Sequence, residues 1–220
     1  MKALDLFCKA GGTAMGLHRA GFDVTGVDIE PQPRYPFEFV QGDALQYVAQ
    51  HGHKYDLIVA GPPCQMYSVT AALSRGGYPD LVGPTREALK ATGKPYFIEN
   101  VPGAPLINPL MLCGTMFPEL RVRRHRLFEC WPAIWFPPGM CYHWGVASSS
   151  GRGKSKKNLT GGYIAGNLKN FDFITVAGCD YVVADARVAM GIPWMTGKEL
   201  SQAIPPAYTE WLGREMLKLI

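Results

Sequence analysis

Cys64 lies in Gly61-Pro62-Pro63-Cys64-Gln65, directly after the apolar run Tyr55–Ala60. Proline cannot donate to a sheet ladder, so the pair forces the chain out of the strand and stiffens the turn that follows. A lone cysteine is more often a small buried hydrophobe. One held on a rigid loop over a cleft, with Gln65, Tyr67 and Ser68 behind it, is a candidate nucleophile. Glu99 ends the next strand-like run, Tyr96–Ile98, and Asn100 and Val101 follow. If the two strands are neighbours, thiol and carboxyl face one pocket although 35 residues separate them. The plainer reading of Glu99 is a partner for one of the arginines at 121, 123, 124 and 126, which cluster around His125.

A second group suggests a nucleoside site. Gly11-Gly12 follows the first strand-like run and lets backbone approach a ligand closely. Asp28 ends the second run, placed to accept from a ribose hydroxyl pair, and Asp43 ends the third, placed to accept from an adenine amino group. Each has a plain alternative, a turn for the glycines and a helix cap for the acids.

The elements that must position these residues alternate. Ala3–Phe7, Asp23–Val27, Phe37–Val40, Tyr55–Ala60 and Tyr96–Ile98 carry strand patterns, and Thr13–Ala20, 44–50 and 85–92 carry helical ones. That alternation predicts an α/β fold with a doubly wound, mostly parallel sheet, in which ligands bind outside the carboxyl ends of the strands. After about residue 120 the chain turns Gly-, Trp-, Pro- and Ser-rich, with a strand-like Phe173–Ala177 and a closing helix from Pro206 to Ile220. The expected division is 1–129 for the first part of the catalytic domain, 130–184 for a small irregular insertion and 185–220 for a return to the first domain. Within the insertion Trp131 and Trp135 are expected to form a miniature core, while Tyr142 and Trp144 could stack on a partner.

The composition, 47% apolar and 18% charged over 220 residues, excludes a disordered chain. No run approaches the roughly 18 apolar residues of a spanning helix, and no signal peptide is read, so no membrane and a cytoplasmic location are expected. The net charge of +4 is modest. The cluster Arg121–Arg126 and the cluster Arg152, Lys154, Lys156 and Lys157 could neutralise phosphates, as could any solvated face. Six cysteines without a C-x-x-C pair favour free thiols over disulfides. Cys141-x-His143 with Cys130 and Cys113 raises zinc, but the spacing matches no usual structural site, and no metal is expected.

Taken in order, these motifs resemble those of the C5-cytosine-specific DNA methyltransferases. Asp5-Leu6-Phe7 with Gly11-Gly12 resembles their cofactor loop, and Asp28 and Asp43 match their ribose and adenine acids, with Ile29 and Ala44 alongside. Pro62-Pro63-Cys64-Gln65 resembles their nucleophile loop, Glu99-Asn100-Val101 their Glu-Asn-Val strand end and Arg124-His125-Arg126 their Arg-x-Arg element. Arg187 with Met190-Gly191-Ile192-Pro193 resembles the element after the recognition region, and Gln202-Ala203-Ile204-Pro205-Pro206 the last element, which folds back beside the cofactor. The short length looks like the compact members of bacteriophages and prophages.

The resemblance implies a Rossmann-like S-adenosylmethionine-dependent methyltransferase fold. It implies S-adenosylmethionine as cofactor, held by Phe7, Gly11, Gly12, Asp28, Ile29, Asp43, Ala44, Pro63, Gln202 and Ala203. It implies duplex DNA as partner, the enzyme acting as a monomer on a cytosine flipped out of the stack. Cys64 would attack carbon 6. Glu99, protonated, would hold nitrogen 3 and the amino group, and Arg126, supported by Arg124, the carbonyl at position 2. Gln65, Ser68, Asn100, Val101 and Arg123 would contact the substrate. The chain departs from the family pattern at Lys9, Thr13 and Ser201-Gln202, all bordering the cofactor. Lys9 could point to solvent or pair with an additional carboxylate on a modified cofactor. RNA cytosine methylation and a catalytically silent DNA-binding relative are the alternatives; protection from restriction is an analogy from the phage-like resemblance.

Overall fold

The structure is a computed structural model and describes residues 1–67, 79–148, 167–178 and 181–220. Five short apolar runs form a parallel sheet: β1 (Lys2–Leu6), β2 (Asp23–Asp28), β3 (Glu38–Gln41), β4 (Leu57–Ala60) and β5 (Tyr96–Asn100). Leu4, Leu6, Val27, Leu57, Ile58, Val59, Phe97 and Ile98 are fully buried, as expected of strands covered on both faces. Two antiparallel strands, β6 (Leu110–Cys113) and β7 (His125–Trp131), complete a seven-stranded sheet of order β3-β2-β1-β4-β5-β7-β6. The order reverses between β1 and β4, so a crevice opens at their carboxyl ends.

Helices cover both faces. Ala44 and Val48 of α2 (Ala44–His51) and Leu89 of α3 (Val82–Thr92) join one buried cluster with Leu4, Ile58 and Ile98. Leu17 of α1 (Gly12–Ala20) joins the other cluster with Phe97 and Phe128. Its further members come from α4 (Val183–Met190), α5 (Gly197–Gln202) and α6 (Pro206–Met216), among them Ala186, Leu200, Tyr208 and Leu212. The arrangement is the doubly wound α/β fold that the alternation implies.

The C-terminal return docks on α1. Pro206 opens α6 at a position where its missing N–H is no loss, and Thr209 Oγ1 donates to Thr13 O at 3.0 Å. Gly16 makes this approach possible, since a Cβ there would lie 2.0 Å from Thr209 Oγ1 and 2.3 Å from Pro206 O.

Three expectations are corrected in the second half. β6 and β7 are strands the sequence pattern did not reveal. Phe173–Ala177 is not a strand: Phe173 and Ile174 form only isolated bridges, to Ala147 and Val122. Trp131 and Trp135 form no miniature core; they are 50% and 73% exposed, Trp131 lying against Tyr96. Residues 152–157, the second basic cluster, lie outside the described residues.

Candidate active site

β4 and β5 are hydrogen-bonded neighbours, with Ala60 opposite Ile98, so the Cys64 loop and Glu99 leave adjacent strand ends. Asn100, fully buried, braces that loop: its Nδ2 donates to Pro62 O at 3.0 Å, and its Oδ1 accepts from Val101 N at 2.9 Å. The Cys64 carbonyl accepts from Tyr67 N at 3.0 Å, closing a turn around the half-buried thiol. A Cβ on Gly61 would lie 3.7 Å from Glu99 Oε2, which puts the carboxyl beside the foot of the Cys64 loop. Gln65 follows on the same turn; Ser68 lies outside the described residues.

The arginine partner of Glu99 is Arg126, whose Nε stands 2.8 Å from Oε1. Both side chains are little exposed, at 14% and 12%. Burial pushes the Glu99 carboxyl above its ordinary value even though Arg126, then Arg124, pull it down. Burial, then the Arg126 charge, lowers the Arg124 guanidinium to about 9, which leaves it cationic at neutral pH.

The other arginines of the cluster donate to backbone carbonyls. Arg124, just before β7, donates to Val176 O and Ser201 O, both at 2.8 Å, and so ties the entry to β7 to the insertion's exit and to α5. Arg123 donates to Trp144 O at 2.7 Å and lies over the Phe173 ring. Arg121 donates to Phe171 O at 2.8 Å and Asp172 O at 3.0 Å. Three of the four arginines thus brace the insertion and its exit through neutral carbonyls, and Arg123 faces the insertion rather than the Cys64 loop.

At the ends of β1 and β2 the loop after β1 is tightly held. Phe7 and Lys9 adopt left-handed backbone, φ 59° and 45°, unusual for residues with side chains and characteristic of strained functional loops. Asp28 fixes that loop, accepting from Lys9 N at 3.1 Å and Glu30 N at 3.0 Å. Lys9 Nζ lies 3.6 Å from Asp28 Oδ1 and 3.2 Å from Glu30 Oε2, so it spans acids at the rim instead of merely pointing to solvent. Asp43 caps α2, accepting from Gln46 N at 2.8 Å, with Ala44 buried behind it; the plain reading of Asp43 accounts for one of its oxygens. Ile29 is 68% exposed beside Asp28, an apolar side chain with nothing of the core to cover it.

A cavity of about 70 Å³ joins the two groups, lined by Asp5, Phe7, Lys9, Gly12, Gly61, Glu99, Gln202 and Ala203 among others. Gly12 lets Ala203 and Ile204 close its wall, since a Cβ there would lie 2.6 Å from Ile204 O. Arg34 grips Glu199 with contacts of 2.7 and 3.0 Å, stapling α5 beside the β2–β3 loop. Asp5, which the sequence placed in the cofactor-loop motif but not among the residues holding the cofactor, also belongs to this cavity. Its carboxylate is 2% exposed, borders the cavity, and has one oxygen without a protein partner among the described residues. A charged residue inside the apolar run of β1 was the available signal. A larger cavity of about 570 Å³, lined by Arg19, Phe117, Trp211 and Arg214, contains none of these residues.

Comparison with known proteins agrees with this geometry. Residues 1–104, which carry the β1 loop, Cys64 and Glu99-Asn100-Val101, match the family model of the C-5 cytosine-specific DNA methylases. The resemblance to that family read from the motifs is thereby shown. Among curated relatives, the type II methyltransferase M.XorII of Xanthomonas oryzae is 37% identical over 82 residues, 30% of this chain and 19% of its own. M.NgoMIV of Neisseria gonorrhoeae is 31% identical over 117 residues, 49% of this chain and 37% of its own. The chain thus spans less than half the length of these relatives. A prophage-encoded E. coli protein described as a DNA modification methyltransferase shares the fold across 100% of this chain and 99% of its own, at TM-score 0.59 and 14% identity.

Proposed function

We propose that this chain is a DNA (cytosine-5)-methyltransferase that draws its methyl group from S-adenosylmethionine and uses Cys64 as a covalent nucleophile. The observation that carries the reading is the juxtaposition at the ends of β4 and β5: a thiol on a proline-stiffened loop beside a buried carboxyl that burial raises above its ordinary value and that is paired with an arginine. Cytosine is a poor electrophile at carbon 6, so addition needs charge relief at ring nitrogen 3. A carboxyl that keeps its proton can donate there, and Arg126 can hold the carbonyl at position 2. Cys64 then bonds to carbon 6, and is expelled once carbon 5 has been methylated and has lost its proton.

The cofactor fits the residues present. Burial, then the Asp28 charge, raises the Asp5 carboxyl well above its ordinary value, and a cationic group against its unpartnered oxygen would oppose that shift; exposed Ile29 beside Asp28 offers an apolar face at the rim. S-adenosylmethionine, when bound, supplies an electrophilic methyl group. Gly12, Ala203 and Gln202 would form the wall against it, and Lys9, bridging Asp28 and Glu30, would orient the acids at its ribose end. Duplex DNA is the substrate named by the family resemblance, and the base must leave the stack to meet Cys64.

The test is covalent trapping with S-adenosylmethionine and duplex DNA carrying 5-fluorocytosine, in which fluorine at carbon 5 blocks the final elimination. A trapped species that disappears with Cys64→Ala is the expected outcome. Trapping only on RNA would move the reading to RNA methylation. No trapping with DNA of genomic complexity or with RNA would sink it.

A further inference from the structure

Cys113, His125, Cys141 and His143 converge where the irregular insertion meets the sheet, and their ligand atoms all lie within 4.8 Å of one another. We propose that these four residues form a tetrahedral zinc site that fastens the insertion to the edge of the sheet. Cys113 ends β6 and His125 begins β7, and the two are cross-strand partners. Cys141 and His143 come from the insertion, with Tyr142 between them. Cys130, which the spacing argument had grouped with them, is elsewhere: its sulfur faces Phe128 O, and His125 takes its place.

The distances suit a metal better than a hydrogen-bond network. His143 Nε2 lies 3.1 Å from His125 Nε2, 3.3 Å from Cys141 Sγ and 3.5 Å from Cys113 Sγ, while His125 Nε2 lies 3.3 Å from Cys141 Sγ. A ring nitrogen carries one proton or one lone pair and can make one good hydrogen bond, not three. A cation at the centre satisfies all four atoms together. Zn–S bonds of about 2.3 Å and Zn–N bonds of about 2.0–2.1 Å in a tetrahedron give edges of about 3.3–3.8 Å, close to the contacts observed.

The chemistry of the set selects the ion. Two thiolates and two neutral imidazoles suit zinc and balance its charge, and four protein ligands leave no open position, which marks a structural site rather than a catalytic one. Thr115 Oγ1 donates to Cys113 Sγ at 3.3 Å, an outer contact that would steady the thiolate. Adjacent residues on a strand face opposite ways, so His125 can hold metal while Arg126 holds Glu99. The site would fix Tyr142 and Trp144, 69% and 53% exposed, relative to the sheet.

The experiment is metal quantification on the reduced full-length chain, purified from zinc-supplemented culture and dialysed against metal-free buffer. Roughly one zinc per chain is expected, falling to under about a tenth in Cys113→Ser, Cys141→Ser and His143→Ala but kept in Cys130→Ser. Exchange of the wild type into cobalt(II) requires no variant, and should give visible absorption of a tetrahedral thiolate-bound ion. Folded wild type without zinc that takes up no cobalt would overturn the proposal. So would a Cys113–Cys141 disulfide in the native protein, or zinc retained by all three ligand variants.

Discussion

Glu99 carries two demands that pull its proton in opposite directions. Arg126 at 2.8 Å favours the carboxylate, while burial favours the acid and prevails. A carboxyl raised above its ordinary 4.5 stabilises the fold fully below that pH and loses the contribution as pH rises through the folded value. Glutamine cannot ionise. The melting temperature of Glu99→Gln relative to wild type should therefore climb between about pH 4 and 8, while methyl transfer falls by roughly 10²–10⁴. A flat difference across that range would mean that folding leaves the carboxyl unshifted, and a falling one that the fold favours its ionised form; in either case the proton-donor role would fall. At this scale the sequence was informative where chemistry is local: the proline-stiffened Cys64 loop and Glu99 were readable from motif and strand end. It was uninformative where a side chain is claimed from a distance. Arg123 and Arg124 look like phosphate ligands until the carbonyls of Trp144, Val176 and Ser201 are found within their reach.

At the scale of elements, the parallel strands were legible because each is a short apolar run with punctuation on both sides. β7 was not, because it opens on His125-Arg126 and Glu129 interrupts Leu127-Phe128 and Cys130-Trp131, so neither a continuous apolar run nor a strict alternation marks it. A charged partner explains its position. Arg86 of α3 makes a two-pronged pair with Glu129 of β7, both contacts 2.7 Å, and Glu129 also accepts from Ile107 N. Removing one member strands a buried charge, so Arg86→Met should cost about 3–5 kcal/mol in urea denaturation. The double variant Arg86→Met, Glu129→Leu should recover most of that loss, because an apolar pair carries no desolvation penalty. If the double variant is no better than the single, the pair matters through shape rather than charge. Likewise, the four-residue cluster of Cys113, His125, Cys141 and His143 escaped a spacing rule because two of its members meet through cross-strand register, which linear spacing does not encode.

At the scale of the whole molecule, the site depends on a segment nearly two hundred residues from the loop it closes. Ala203 and Ile204 form the wall over Gly12, Trp194 Nε1 donates to Ala10 O at 3.0 Å, and all are held by the packing of α6 on α1. Gly16 is the point where that packing is least tolerant. A methyl group there would meet Thr209 Oγ1 at 2.0 Å, Pro206 O at 2.3 Å and Glu210 N at 2.7 Å, and two of those three atoms are backbone that cannot rotate away. Gly16→Ala should therefore push α6 outward, against the about 1 kcal/mol that alanine ordinarily adds to a helix interior. Overpacking of this kind costs typically about 1–3 kcal/mol. Gly83→Ala, in α3 with open space around the new Cβ, is the matched control and should leave stability equal or slightly raised. Because α6 carries the cavity wall with it, Gly16→Ala should also weaken S-adenosylmethionine binding measured by calorimetry, whereas Cys64→Ala should leave that binding intact. A Gly16→Ala protein that is destabilised but binds the cofactor normally would mean that the wall over Gly12 stands without α6.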